Sequence, residues 1–200
     1  MKPAHALVAL SLLLAGSVPA RAQSLKPASH SDQWSERPVA PIHTVSQALD
    51  FWITATEHTV VTTADAMPTE KYGFTPTAGT FAGVRTFGQQ VKHLAANNYR
   101  MAAHILGRTP TADQRAETGP DSVQSKSQIV DYAKGSFVAL HEAVAAITDG
   151  NMLTSIADPP SARQPTRLQL AVDAVAHSYD HYGQMVEYLR MNDIIPPASR

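Results

Sequence analysis

Four segments of this chain carry apolar side chains at intervals of three and four residues, the spacing that lines one face of an α-helix. They run from Thr44 or Ser46 to Met67, from Val84 to Ile105, from about Ser127 to Ile147, and from Thr166 to about Met191. The chain shows neither an alternating strand pattern nor an internal repeat. It therefore predicts an all-α fold, an up-down four-helix bundle, in which long connections leave room for a less regular topology.

Residues that start or stop helices support these limits. Pro68 follows the first segment, and Gly107 follows the second where a C-cap glycine belongs. Thr166 and Gln169 match a capping box at the start of the fourth. The β-branched run at residues 59–63 lowers helix propensity and leaves a strand as the alternative there.

The first 22 residues have the pattern of a secretory signal peptide. A positive charge at Lys2 precedes an apolar run from Ala6 to Ala15, and residues 20–22 read Ala-Arg-Ala, a typical cleavage site. The run is shorter than the roughly 20 residues of a membrane span, which argues against the alternative of an anchor. We expect residues 1–22 to be removed, no membrane insertion afterwards, and export to the periplasm or the cell exterior.

The remaining chain divides into two parts. Residues 23–43 hold Pro27, Pro38 and Pro41 among Ser, His, Gln and Arg, without apolar periodicity, and they predict a flexible lead-in. Residues 44–199 hold the four amphipathic segments and predict one helical domain. Within it, residues 107–123 form a polar connection without a recognisable pattern.

Composition narrows the classes of ligand and partner. The formal net charge of −1 provides no basic excess for nucleic acid or for an anionic membrane surface, so nucleic acid is not expected as a partner. The chain has no cysteine, so a metal site would use nitrogen and oxygen ligands. A small-molecule substrate is the expected ligand, and a homodimer is compatible with the sequence.

The most informative residues are two histidines in the fourth helix. His177 and His181 are four residues apart, so their imidazoles lie on one face and can reach the same point. This geometry suits one metal ion, although two nitrogens do not complete a site. A hydrogen-bonded pair in the core or at the surface is the alternative.

The third ligand has to come from another helix. His93 and His104 share the second helix but are separated by about 16 Å along its axis, at 1.5 Å per residue, so only one can join the pair. His93 borders the buried stripe and is preferred, although a lone histidine there is more often a hydrogen-bonded residue at the edge of the core. His141 is the reserve candidate. The weaker candidates are His58, His30 and His43.

Three segments resemble the DinB-like family of four-helix-bundle metalloenzymes. They are residues 67–76 (MPTEKYGFTP), residues 85–95 (RTFGQQVKHLA), and residues 177–190 followed by 195–199 (IPPAS). The resemblance spans Thr44 to Ser199. It implies that His93, His177 and His181 bind a divalent metal ion, zinc or nickel first, with iron also compatible.

The resemblance also implies an activity. We expect an exported metal-dependent hydrolase or group transferase of unidentified substrate, with Glu57, Glu142 and Asp180 as candidate general bases. Family members with assigned activities are often intracellular thiol-dependent transferases or isomerases, and the predicted export departs from that pattern, which leaves a thiol cosubstrate an open question. The alternative is a non-catalytic metal- or ligand-binding helical module, in which a further ligand such as His141 would close the coordination shell.

Overall fold

The computed structural model describes residues 41–156 and 164–200, and in this part of the chain the regular elements are all helices. The four long helices are α1 (Val45–Ala66), α2 (Phe87–Ile105), α3 (Lys126–Ala145) and α4 (Arg167–Arg190). Shorter elements are a one-turn helix, Ala112–Arg115, and two 3₁₀ turns, Thr69–Lys71 and Pro197–Ser199. The predicted all-α class is confirmed, and residues 59–63 lie inside α1 rather than in a strand. The predicted signal peptide and lead-in residues 23–40 lie outside the described residues.

Each long helix begins with a capping box. A Thr or Ser side chain accepts a hydrogen bond from the backbone three residues on, and the Gln there accepts one from the capping residue's backbone. The pairs are Thr44 with Gln47, Thr86 with Gln89, Ser125 with Gln128, and Thr166 with Gln169. The predicted start at Thr166 is thus confirmed. The second helix starts at Phe87 rather than Val84, because Thr86 caps it and Val84 precedes the first turn.

The C-terminal end of α2 lies where Gly107 predicted it. Gly107 adopts a φ of 69°, in the left-handed region where glycine carries no side-chain penalty. The Gly107 amide donates to the His104 carbonyl at 2.9 Å, and the Arg108 amide donates to the Ala103 carbonyl at 2.8 Å. These two bonds form a Schellman motif, which satisfies carbonyls that the helix end would otherwise leave open.

Contacts along the helices fix their directions. The N-terminal end of α3 meets the C-terminal end of α1, where Lys126 Nζ donates to the Asp65 carbonyl at 2.6 Å. Helices α2 and α3 run parallel, since Asn98 contacts Ser136 and, ten residues on, Arg108 contacts Glu142. Helices α2 and α4 are antiparallel. The Tyr188 hydroxyl donates to the Arg85 carbonyl at 3.0 Å, and Arg167 Nε donates to the Ile105 carbonyl at 3.1 Å at the other end.

The bundle therefore runs up, down, down, up. The predicted alternation holds from α1 to α2 and from α3 to α4, whereas α2 and α3 point the same way. Helices α1 and α2 each pack against both α3 and α4, which makes α1 and α2 one diagonal pair and α3 and α4 the other. The long connections anticipated from the sequence, residues 67–86 and 146–166, link these diagonal partners.

The apolar stripes of all four helices meet in one core. Its fully buried side chains include Ile53 and Val60 from α1, Phe87 and Leu94 from α2, Phe137 and Leu140 from α3, and Met185 and Leu189 from α4. Burying each such side chain contributes about 1.5–3 kcal/mol. This packing fixes the rotation of α2 and α4, and with it the faces that carry the histidines. Among the described helices, none is both long and apolar enough to cross a membrane.

Candidate metal centre

Three histidines meet where α2 and α4 pack together. His177 and His181 lie one turn apart on α4, as their spacing predicts, and His93 reaches them from the antiparallel α2. The structure thus brings together the three residues selected from the sequence. We refer to His93, His177 and His181 as the triad.

The triad has the dimensions of a metal site. His177 Nε2 lies 3.3 Å from His93 Nε2 and 3.1 Å from His181 Nε2. Two nitrogens that each lie about 2.0–2.1 Å from a shared zinc ion, at a tetrahedral angle, are separated by about 3.3 Å. Within the described ranges, the triad is the one group of three or more His, Asp or Glu residues close enough to hold an ion, with ligand atoms within 4.8 Å of one another.

Burial keeps two of these rings neutral. Desolvation, followed by the charges of His181 and His93, lowers the pKa of His177 to about 3. Desolvation and the charge of His93 lower the pKa of His181 to about 4. A metal ion competes with the proton for the ring nitrogen, so an imidazole that stays neutral near pH 7 is the form ready to coordinate.

His93 has an outer partner from the connection between α2 and α3. Its Nδ1 lies 2.5 Å from the Glu117 carbonyl oxygen. A carbonyl can only accept, so Nδ1 carries the proton and the lone pair of Nε2 faces the triad. The Glu117 carboxylate pairs with Arg85, which ties this connection to the residues just before α2.

The other two histidines differ in their surroundings. His177 Nδ1 lies 2.9 Å from Asn97 Nδ2, and Arg100 donates to Asn97 Oδ1. By contrast, His181 is only 5% exposed and its Nδ1 has no hydrogen-bond partner. A buried polar atom without a partner is costly. This atom is not the nitrogen that meets the other rings, since His181 faces His177 through Nε2.

Side-chain hydrogen bonds connect α2 and α4 next to the triad. Gln90 Nε2 on α2 donates to Gln184 Oε1 on α4 at 2.7 Å, and Gln184 Nε2 donates to Asp180 Oδ2 at 3.0 Å. Gln90 and Gln184 each lie three residues from a triad histidine. These bonds join the two helices that carry the triad and orient the Asp180 carboxylate beside His181.

A family model decides the chain's relationship to known proteins. The model for the DinB superfamily matches residues 20–185. The chain belongs to the DinB superfamily. Its resemblance to DinB-like proteins, first seen in three short segments, is thereby confirmed over most of its length.

A solved DinB structure shows the same fold. The chain is similar to a DinB-like protein from Bacillus cereus ATCC 10987, with a TM-score of 0.60 and 18% sequence identity. The alignment covers 77% of this chain and 96% of the other. The comparison with curated proteins finds no match. At this identity the solved relative supports the DinB fold alone.

The remaining histidine candidates lie away from the triad. His141 on α3 faces α1 and bonds to Asp50 and Glu57, so it does not serve as a further ligand. His104 is buried in the last turn of α2. His58 and His43 are exposed, and His30 lies outside the described residues.

Two of the three candidate general bases also have partners away from the triad. Glu57 bonds to His141, and Glu142 pairs with Arg108 at 2.8 Å. Of the three candidate bases, Asp180 is the one whose charge raises the pKa of a triad histidine, His181. Glu117, which the sequence did not single out, acts on His181 in the same direction.

Two residues that contact the triad histidines, Asn97 and Glu117, were not predicted from the sequence. Asn97 lies four residues after His93 on α2, and that spacing could have marked it as sharing the histidine's face. Glu117 had no such signal, because it lies in a connection without periodicity and contacts His93 partly through its main chain.

Proposed function

We propose that this chain binds one divalent metal ion through His93, His177 and His181. The observation that carries the proposal is the meeting of the three Nε2 atoms at 3.1 and 3.3 Å. Three imidazole nitrogens suit zinc or nickel first, with iron also compatible. The lowered pKa of His177 and of His181 fits the same assignment.

The ligand set favours catalysis over a structural ion. Structural zinc sites usually have four protein ligands, whereas catalytic sites have three and keep a position for water or substrate. In the described part of the chain, no fourth His, Asp or Glu joins the triad, and His141 is held by two carboxylates elsewhere. We therefore favour an enzyme over a non-catalytic metal-binding module.

The proposed reaction is a hydrolysis or group transfer on a small molecule. A divalent ion at the triad would polarise an electrophile or lower the pKa of bound water. Around it, the Glu117 carbonyl and Asn97 orient two of the rings, and the Gln90–Gln184 bridge holds α2 and α4 together. The carboxylates of Glu117 and Asp180 flank the triad and could accept or return a proton.

The cellular setting is also part of the proposal. The sequence pattern of residues 1–22 supports export to the periplasm or the cell exterior. The net charge of −1 supports a small-molecule substrate rather than nucleic acid. Mass spectrometry of the protein recovered from its native host tests export, with Gln23 as the expected first residue.

Elemental analysis of protein purified without a histidine tag tests metal binding. We expect about one equivalent of metal in the wild-type protein, and its loss in His93→Ala and His177→Ala. His58→Ala is the matched control, because it removes an exposed histidine from α1 and should keep the metal. Wild-type protein without stoichiometric metal would refute the proposal. Bound metal without turnover, in a screen of hydrolase and transferase substrates, would favour the non-catalytic module.

A further inference from the structure

The orientation of the Asn97 amide follows from the chemistry of its neighbour. Arg100 has N–H donors and no acceptor, so the amide atom that faces it must be the oxygen, Oδ1. The amide nitrogen Nδ2 then faces His177 Nδ1 at 2.9 Å. Asn97 is only 4% exposed, so water cannot readily replace these two partners.

This orientation decides which nitrogen of His177 carries the proton. Asn97 Nδ2 is a donor, so His177 Nδ1 has to accept, and a neutral ring then carries its proton on Nε2. That N–H lies 3.1 Å from His181 Nε2 and 3.3 Å from His93 Nε2. His93 Nε2 can accept it, because His93 uses Nδ1 to donate to the Glu117 carbonyl.

Coordination through Nε2 needs the opposite tautomer. The proton then has to sit on Nδ1, where an acceptor holds it and orients the ring. Asn97 can be that acceptor only if its amide turns by about 180° and presents Oδ1 to His177. Its Nδ2 would then face Arg100, donor against donor, and the bond between Asn97 and Arg100 would be lost.

We propose that Asn97 is a positioning residue that selects the tautomer of His177, and that Arg100 holds it in the orientation that keeps the proton on Nε2. The proposal rests on the proposed metal function. It adds that loading of the triad is coupled to rotation of the Asn97 amide and release of Arg100. Arg100 thus opposes metal binding and sets its affinity without touching the ion.

Nitrogen-15 NMR of the histidine rings tests the tautomer directly, in the full chain after treatment with a chelator. We expect His177 to carry its proton on Nε2 in the wild-type protein. Asn97→Asp should move it to Nδ1, since a carboxylate only accepts, and Arg100→Met should raise the Nδ1-protonated fraction. Arg108→Met is the matched control, because it also removes one guanidinium but from an exposed pair with Glu142, and it should leave the tautomer unchanged.

Zinc affinity, measured by chelator competition at one fixed pH, gives a second readout. We expect Arg100→Met to bind zinc roughly 10-fold more tightly than the wild-type protein, in the range of changes made at outer partners of metal ligands. Arg108→Met should stay at the wild-type value. A wild-type His177 protonated on Nδ1, or a tautomer unchanged in Asn97→Asp, would overturn the inference. If the tautomers behave as expected and zinc does not bind, the metal function fails while the role of Asn97 stands.

Discussion

Two histidine clusters in this bundle have opposite surroundings. The triad lies between α2 and α4, where no carboxylate oxygen is hydrogen-bonded to His177 or His181 in the described structure, and burial lowers the pKa of both rings. His141 lies between α1 and α3 with Asp50 Oδ1 2.6 Å from Nδ1 and Glu57 Oε2 3.2 Å from Nε2. Burial by itself lowers the pKa of His141. The hydrogen bonds and charges of Asp50 and Glu57 raise this pKa by a larger amount, so the net shift is upward.

The contrast shows how neighbours decide what a histidine does. A neutral imidazole keeps a lone pair on one ring nitrogen, which a metal ion can bind once that nitrogen faces the site. An imidazole between two carboxylates is stabilised as a cation, and a cation has no lone pair to offer. His141 therefore links α1 and α3, and its carboxylate neighbours favour its protonated form. The triad is the candidate for chemistry.

The largest expected difference between the clusters is in metal affinity. His181→Gln removes one of three ligands and should weaken zinc binding by at least about 100-fold, because few proteins hold zinc tightly with two ligands. His141→Gln should leave zinc affinity within about twofold of wild type. Competition with a chelator measures both, and similar losses in the two variants would end the distinction.

The next difference is in stability. His141→Leu leaves Asp50 and Glu57 without their shared partner, and should lower the free energy of unfolding at pH 6 by about 1–2 kcal/mol, since the group is 29% exposed. His177→Leu, compared in the presence of a chelator, should change it by less, about 1 kcal/mol in either direction, because it replaces a neutral ring and the added apolar burial offsets part of the lost hydrogen bond with Asn97. Urea denaturation measures both values. The opposite ranking would contradict the assigned roles.

The two clusters should also respond oppositely to pH. The pKa of His141 is raised above its ordinary value of 6.5, so its stabilising contribution is complete below pH 6.5 and is lost as pH rises through the raised pKa. The stability difference between wild type and His141→Gln should therefore shrink with rising pH. The pKa of His177 and of His181 is lowered, so their contribution is present above pH 6.5 and is lost as pH falls toward about 3 to 4. Urea denaturation across pH 4–9, with a chelator present, checks both directions.

The smallest expected effect separates the two partners of His141. Glu57→Gln should lower the pKa of His141 and cost roughly 0.2–1 kcal/mol, as for other partly exposed ion pairs. Asp50→Asn should have the larger effect, because Asp50 makes the shorter contact. An NMR titration of His141 in both variants gives the order of the two effects. An unchanged pKa in both would contradict the role of Asp50 and Glu57 in stabilising protonated His141.

Local patterns predicted the parts of this molecule that depend on spacing along one helix. The i, i+4 pair on α4 and the capping box at Thr166 involve neighbours within one or two turns, so the sequence carries them directly. His93 could be chosen because it borders the apolar stripe of α2. The fold class followed from the four stripes, since an amphipathic helix has to bury one face.

Contacts between distant segments left no local signal. The Arg85–Glu117 pair spans 32 residues and the His141–Asp50 bond spans 91, so neither produces a periodicity. The parallel run of α2 and α3 depends on how residues 106–125 return along the bundle. Those residues are polar and turn-rich, and such a connection does not specify direction.

X-ray absorption spectroscopy of the zinc-loaded full chain is the most direct test of the proposed centre. We predict scattering from three imidazole rings with nitrogens at about 2.0–2.1 Å, together with oxygen from water or buffer at the remaining position. His58→Ala should give the same spectrum, and His177→Ala should lose it. A spectrum with fewer than three imidazoles would contradict the triad, and one with four protein ligands would contradict a centre open to substrate.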